Sequence, residues 1–150
     1  MQSSPNSTPK RILFLCTGNY YRSRFAEIFF NWQAQLRGLL WTADSRGLAL
    51  DGCNYGPISR YTVSRLKEKG IAHDDDHRFP LPLSEADLTA ADHIVAVKEA
   101  EHRPLVEARF PAWRDRIEYW HVHDLDCATP DDAILHLENE LMQLLNRLAA

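Results

Sequence analysis

The sequence predicts an α/β protein: a three-layer sandwich in which helices cover both faces of a four-stranded parallel sheet. Three observations carry this. Ile12–Leu15 and Ile94–Val97 are short, continuous apolar runs, the mark of strands buried on both sides rather than on one. Between such runs lie stretches whose apolar residues recur every three or four positions, as on amphipathic helices. The chain has 150 residues, enough for one hydrophobic core and too few for two, so alternating strands and helices must share a single sheet.

The elements follow in order. Met1 to Pro9 is a polar Ser, Pro, Asn and Thr stretch and is expected to form a disordered tail ahead of a domain spanning residues 10–150. Ile12–Leu15 forms the first strand and Cys16-Thr17-Gly18-Asn19 stops it. From Ser23, the stripe Phe25, Ile28/Phe29, Trp32, Leu36 and Leu39 predicts a helix with Gly38 near its end. Trp41–Ser45 is the second strand. Gly56-Pro57 opens a helical stretch through Ile58, Thr62/Val63 and Leu66, which Gly70 closes. Ala72–Leu83, with Asp74-Asp75-Asp76 and two prolines, reads as an exposed loop. Ser84-Glu85-Ala86-Asp87 has the form of an N-cap with an acidic third position, starting a short helix that ends near Ala91. Ile94–Val97 is the third strand, a helix follows around Arg103–Arg109, and Ile117–Val122 is the fourth strand. Thr129-Pro130-Asp131-Asp132 combines an N-cap, a proline at the first position and an acidic first turn. It leads a helix through Ile134, Leu137, Leu141, Leu144/Leu145 and Leu148.

Composition excludes several functional classes. Apolar residues at 45% and charged residues at 25% are those of a folded globular chain. A net charge of −4 supplies no general basic field for nucleic acid or an anionic membrane, so any anion must be bound locally. The three cysteines, Cys16, Cys53 and Cys127, are an odd count without paired spacing, which argues against a disulfide framework or a zinc site and for a reducing, cytoplasmic setting. No apolar run is long enough to span a membrane.

Parallel sheets bind ligands beyond the carboxyl ends of their strands. At the first such end, Cys16-Thr17-Gly18-Asn19-Tyr20-Tyr21-Arg22-Ser23 holds Cys-x5-Arg between a buried strand and a helix N-terminus. Unsatisfied N–H groups and the positive end of the dipole gather anions there, and a loop of this length can wrap one phosphate with its backbone amides. The same field favours Cys16 as a thiolate, the nucleophilic form. Gly18 is expected to allow a backbone conformation that other residues resist. Arg22 offers a planar fork for two phosphate oxygens.

Ile12-Leu13-Phe14-Leu15-Cys16-Thr17-Gly18-Asn19-x-x-Arg22-Ser23-x-x-Ala26-Glu27 resembles the signature of the low-molecular-weight protein tyrosine phosphatases. The resemblance extends through Ser45-x-Gly47, Gly70-Ile71, His77-Arg78, Ala91-Asp92-x-Ile94-Val95 and an Asp near the end of strand four. It implies a sheet of order 2-1-3-4 and a phosphomonoester hydrolase working through a cysteinyl-phosphate intermediate. By the resemblance Cys16 is the nucleophile, Arg22 binds phosphate with the loop residues Thr17 to Ser23, and Ser23 stabilises the leaving thiolate. Asn19 shapes the loop through Ser45 and His77, and Asp124 in Val122-His123-Asp124-Leu125 is the general acid and base, with Asp126 as the alternative. Phosphoryl transfer of this kind needs positioning and charge stabilisation rather than metal or cofactor, so neither is expected. The implied substrate is a phosphorylated protein or a small aryl phosphoester, with inorganic phosphate as product.

Several positions depart from the family pattern. Tyr21 stands where many members carry a second Cys able to protect the nucleophile as a disulfide, and Cys127 is the remaining thiol near the acid loop. The acid residue is followed by Leu125-Asp126-Cys127-Ala128 instead of Pro and tyrosines, so Tyr20, Tyr21 and Tyr55 are the candidates for walls of a phenyl slot. Arg24 and Lys98 are expected to make the rim more cationic. His77 and Asp74–Asp76 have the plainer alternative of solvated loop residues. Two competing functions use the same loop: a thiol-dependent arsenate reductase, which needs resolving cysteines absent from residues 98–110, and a phosphate-binding regulatory module without turnover.

Overall fold

The structure is a computed structural model that describes residues 8–50, 52, 54–71, 73, 77–124 and 129–149. The expectations for Met1–Ser7, Cys53, Asp74–Asp76, Asp126 and Cys127 therefore lie outside the described residues. The elements are β1 (Lys10–Cys16), α1 (Arg22–Arg37), β2 (Trp41–Gly47), α2 (Arg60–Glu68), α3 (Glu85–Ala90), β3 (His93–Ala96), α4 (Glu99–Arg109), a 3-10 turn (Pro111–Trp113), β4 (Glu118–Tyr119) and α5 (Pro130–Ala149). The four strands form one parallel sheet in the order β2-β1-β3-β4.

The continuous apolar run of β1 serves two cores at once. Ile12, Phe14 and Cys16 face the layer of α1, α2 and α5, among Phe25, Phe30, Leu66, Leu137 and Leu141. Leu13 and Leu15 face the other layer, with Leu88, Val106, Trp113 and Ile117. β1 lies between β2 and β3, in register with Cys16 beside Gly47 and Leu15 beside Ala96, so its carboxyl end is flanked by strand ends on both sides. The outer edge of β2 is covered from α1, where the Asn31 amide accepts from Ala43 N at 2.7 Å and donates to Ala43 O at 3.1 Å, as a further strand would.

Local chemistry accounts for the helix ends. Gly38 takes the left-handed conformation (φ 66°) that caps α1, and its N–H reaches the carbonyls of Ala34 and Gln35. Ser84 and Asp87 form a reciprocal capping box on α3, and Thr129 Oγ1 accepts from Asp132 N at 3.2 Å at the start of α5.

Several expectations change, among them the start of α2, which Ser59 caps at Arg60 instead of opening at Gly56-Pro57. α4 begins at Glu99, well before Arg103, because Lys98 N donates to the His102 side chain at 3.0 Å and His102 N donates back to Lys98 O at 2.8 Å, securing a first turn ahead of Pro104. Strand four is confined to Glu118–Tyr119, although Trp120 N and Val122 N still bond Ala96 O and Val97 O beyond it. Leu36, placed on the buried stripe of α1, is 67% exposed. The stretch before α3 is not simply a solvated loop, since Gly47 N bonds Leu81 O and Leu83 N bonds Gly47 O, laying residues 81–83 along the end of β2.

Candidate active site

The loop from Cys16 to Ser23 leaves β1 and enters α1, and its carbonyls are tied outward. Cys16 O and Thr17 O accept from Leu48 N and Ala49 N at 2.9 and 3.0 Å, while Tyr20 O accepts from Ser59 N at 2.9 Å. Tyr21 O accepts from Phe25 N and from the Thr62 hydroxyl at 3.1 Å. Among the described residues, no backbone N–H of 17–23 donates a hydrogen bond to the protein. With these acceptors turned to neighbours and its donors uncommitted at a helix N-terminus, the loop has the chemistry to cradle an anion.

Cys16 is a free, buried thiol, and its Sγ lies 2.9 Å from Ser23 Oγ. Asn19 holds this arrangement together. It is fully buried in a left-handed backbone conformation (φ 49°), and its Nδ2 donates to Ser23 Oγ and to Ser45 Oγ, each at 2.9 Å. Gly18 is not the residue with positive φ, contrary to the expectation. Its lack of a side chain serves a close approach instead, because a Cβ there would sit 3.0 Å from the Asn54 amide. Gly47 is tighter still, since a Cβ would meet Leu50 at 2.5 Å, Thr17 O at 2.9 Å and Asn19 Cβ at 3.1 Å.

The Oδ1 of Asn19 accepts from Arg78 Nη1 and from Leu81 N, both at 3.0 Å. Arg78 Nη2 also donates to Ser45 O at 3.0 Å and Ser45 Oγ at 3.2 Å, and lies 3.4 Å from Glu27 Oε1. His77, expected beside Asn19, has its ring stacked on His73 at 5.4 Å between centroids, and its neighbour Arg78 makes the hydrogen bond to Asn19 Oδ1. Ser45 Oγ donates to Glu27 at 2.6 Å, and burial pushes the Glu27 carboxyl above its ordinary range.

Arg22 is buried and held on two sides. Nη1 donates to Val122 O at 3.1 Å, and Nη2 meets Glu101 Oε2 at 2.8 Å and Asp124 Oδ2 at 3.4 Å. The same Glu101 oxygen accepts from the Thr17 hydroxyl. Burial alone would raise Glu101, but His102, Arg22 and Thr17 together hold it well below the ordinary carboxylate range. His102 is fully buried, and its Nδ1 accepts from Lys98 N, so the ring proton sits on Nε2. That nitrogen lies 3.1 Å from Glu101 Oε2, off the axis of a hydrogen bond, and burial pushes the imidazole below its ordinary range.

The cleft above Cys16 has a volume of about 780 Å³, and Tyr20, Tyr21, Tyr55, Tyr61 and Asp124 line it. Tyr20 hydroxyl donates to Tyr55 O, and Tyr21 hydroxyl reaches Pro130 O at 3.2 Å while its ring packs on Tyr61. Arg24 does not add charge to the rim. It is buried, donates to Pro57 O and Arg78 O at 2.9 Å each, and is pushed down to about 10 by burial and by Arg78. Sequence reasoning thus missed Glu101 and Arg78 as parts of the site. The signal for Glu101 was its place four residues beyond Val97, the expected end of strand three.

Comparison with known proteins agrees with this geometry. The family model for the low molecular weight phosphotyrosine protein phosphatases matches residues 11–149. The protein-arginine-phosphatase of Bacillus subtilis (strain 168) is 30% identical over 146 residues, covering 92% of this chain and 93% of the relative. The crystal structure of a low molecular weight protein tyrosine phosphatase from T. tengcongensis is 29% identical with a TM-score of 0.74, covering 93% of this chain and 97% of that one. That of YfkJ from Bacillus subtilis is 25% identical with a TM-score of 0.80, covering 94% and 95%. A Cys-x5-Arg anion cradle at the end of the central strand, in a sheet of this order, completes the match: the chain belongs to the low molecular weight phosphotyrosine protein phosphatase family and is a cysteine-based phosphatase.

Proposed function

We propose that the protein hydrolyses phosphotyrosine in proteins, through a covalent phosphate on Cys16. The observation that carries this is the 2.9 Å contact between Cys16 Sγ and Ser23 Oγ inside a loop whose Cys16, Thr17, Tyr20 and Tyr21 carbonyls are tied to neighbouring segments. A thiolate there is hydrogen-bonded by Ser23, faces the loop amides that receive the phosphoryl oxygens, and has Arg22 beside it as the cationic clamp. Residues Thr17 to Ser23 form the phosphate site, Asn19 with Ser45 supports it, and His77 belongs to the supporting segment through its neighbour Arg78.

In the first step Cys16 sulfur attacks phosphorus, the bond to the leaving oxygen breaks, and Asp124 gives that oxygen its proton. In the second, the Asp124 carboxylate takes a proton from water, the water oxygen attacks phosphorus, and the sulfur–phosphorus bond breaks to release thiolate and inorganic phosphate. Asp124 is 44% exposed at the cleft and within 3.4 Å of Arg22, so it reaches both the clamp and the entering group. Tyr20, Tyr55 and Tyr61 give the slot aromatic walls suited to a phenyl ring. A free thiolate nucleophile needs a reducing compartment, in keeping with the cytoplasm expected from the cysteine usage.

A second reading, phosphoarginine as substrate, is favoured by the name of the Bacillus relative. The nucleophile and cradle would be unchanged, and a planar guanidino group also stacks on tyrosine. One experiment decides: steady-state and burst kinetics on an aryl phosphate, a phosphotyrosine peptide and a phosphoarginine peptide, with wild type, Cys16→Ser, Asp124→Asn and Asp126→Asn. The reading requires a stoichiometric phenol burst, its loss in Cys16→Ser, a lower kcat in Asp124→Asn, and higher kcat/KM for phosphotyrosine. Phosphoarginine preference would replace the substrate, and crippling by Asp126→Asn alone would replace the acid.

A further inference from the structure

The catalytic cleft does not end at its tyrosine walls. Ser59, Arg60 and Tyr61, where α2 starts, form one side of it, and Arg60 and Tyr61 also begin a second groove of about 630 Å³ that runs along α2 past Val63, Ser64 and Lys67. The cations of this helix divide between two sides. Arg65 is bidentate to Glu138 at 2.8 and 2.9 Å, and Lys69, just past the helix end, lies 3.7 Å from the same carboxylate, so both are spent on docking α5. Glu68, the acid within α2, lies 3.3 Å from Arg65. Among the described residues neither Arg60 nor Lys67 forms an ion pair, and no carboxylate lines the second groove. Arg60 is nonetheless fixed: its guanidinium lies 5.0 Å over the Tyr61 ring and donates to the Tyr61 hydroxyl at 3.1 Å.

Building on the phosphatase reading, we propose that this face of α2 docks acidic residues flanking the phosphorylated residue of a protein substrate. Arg60 and Lys67 are seven residues apart on one helix, a rise of roughly 10 Å, which an extended peptide covers in about three residues. The substrate class is therefore a phosphoprotein segment with carboxylates about three residues apart on one side of the phosphoresidue. Arg60 takes the nearer carboxylate at the mouth of the cleft and Lys67 the farther one.

The test uses phosphotyrosine peptides differing only in flanking residues, Glu, Ala or Lys at both spacings, on either the amino or the carboxyl side. Binding is read on full-length Cys16→Ser protein, with and without Lys67→Glu, and turnover of a small aryl phosphate is read on wild type and Lys67→Glu. Glu-flanked peptides should bind about three-fold tighter per carboxylate than Ala-flanked ones at low salt, the size of an exposed ion pair, with the gain lost in concentrated salt. Lys67→Glu should abolish the preference at the farther position while leaving aryl phosphate turnover unchanged. Equal binding of Glu, Ala and Lys peptides, or a farther-position preference that survives Lys67→Glu, overturns the docking face. Absence of aryl phosphate turnover overturns the catalytic reading instead, and the binding comparison still judges the groove.

Discussion

Glu101 holds Arg22 at 2.8 Å while also accepting from Thr17, so one carboxylate on α4 joins both halves of the loop that starts at Cys16. It reaches the loop from a helix 79 residues away in sequence from Arg22. The arginine is thereby aimed before any ligand arrives.

Glu101→Gln retains an acceptor for Arg22 but removes the charge, and Glu101→Ala removes both. Misplacing a clamp by about 1 Å costs on the order of 100-fold, so kcat/KM on an aryl phosphate should fall by about that factor in Glu101→Ala and by clearly less in Glu101→Gln. Steady-state kinetics on the two variants provide the check.

Arg78 is the second support, and its loss leaves Asn19 Oδ1 and Ser45 with fewer partners in a buried site. Arg78→Ala should lower kcat about ten-fold or more and lower stability by about 1–3 kcal/mol, the cost of unsatisfied buried groups. Arg78→Lys should recover only part, since one ammonium cannot reproduce a fork that spans Asn19 and Ser45. Urea unfolding and kcat measured on the same preparations test both parts.

Gly47 tolerates no side chain, because its neighbours include the Thr17 carbonyl and Asn19 of the anion loop. Gly47→Ala should destabilise by about 1–3 kcal/mol, as overpacking does, and should raise KM for phosphate esters by displacing the loop. A variant with wild-type KM and unfolding midpoint would contradict this.

On the acid side, Glu118 is held down to about 2 by His93, and further by Arg147 and Trp120. Its folded state favours the carboxylate, so its contribution is present above the ordinary glutamate range and is lost as pH falls from there toward 2. Discounted for its partial exposure, the contribution is about 1–2 kcal/mol. Glu118→Gln should be less stable than wild type at neutral pH, with the gap closing as pH falls through that window, as read by denaturant midpoints.

The strand, loop and helix around Cys16 were legible because each announces itself locally: a continuous apolar run, a turn sequence, then a helical stripe. The helix ends at Gly38, Ser84 and Thr129 were legible for the same reason, since caps act over three or four residues. Glu101 and Arg78 were not, because their partners lie 79 and 59 residues away and charged residues in a polar stretch look solvated until the fold encloses them. Arg24 looked like rim charge because nothing local says that Pro57 and Arg78 offer it carbonyls.

One contact bears on how the reaction ends. Asp124 sits 3.4 Å from the same Arg22 nitrogen that Glu101 holds. If Arg22 clamps phosphate as proposed, an incoming phosphoryl group competes with that carboxylate for the arginine, and after hydrolysis the carboxylate is at hand to take the place of orthophosphate. On the proposed mechanism the protein carries its own competitor for the anion seat, tethered at high effective concentration, which lowers affinity for substrate and product alike and speeds departure of orthophosphate.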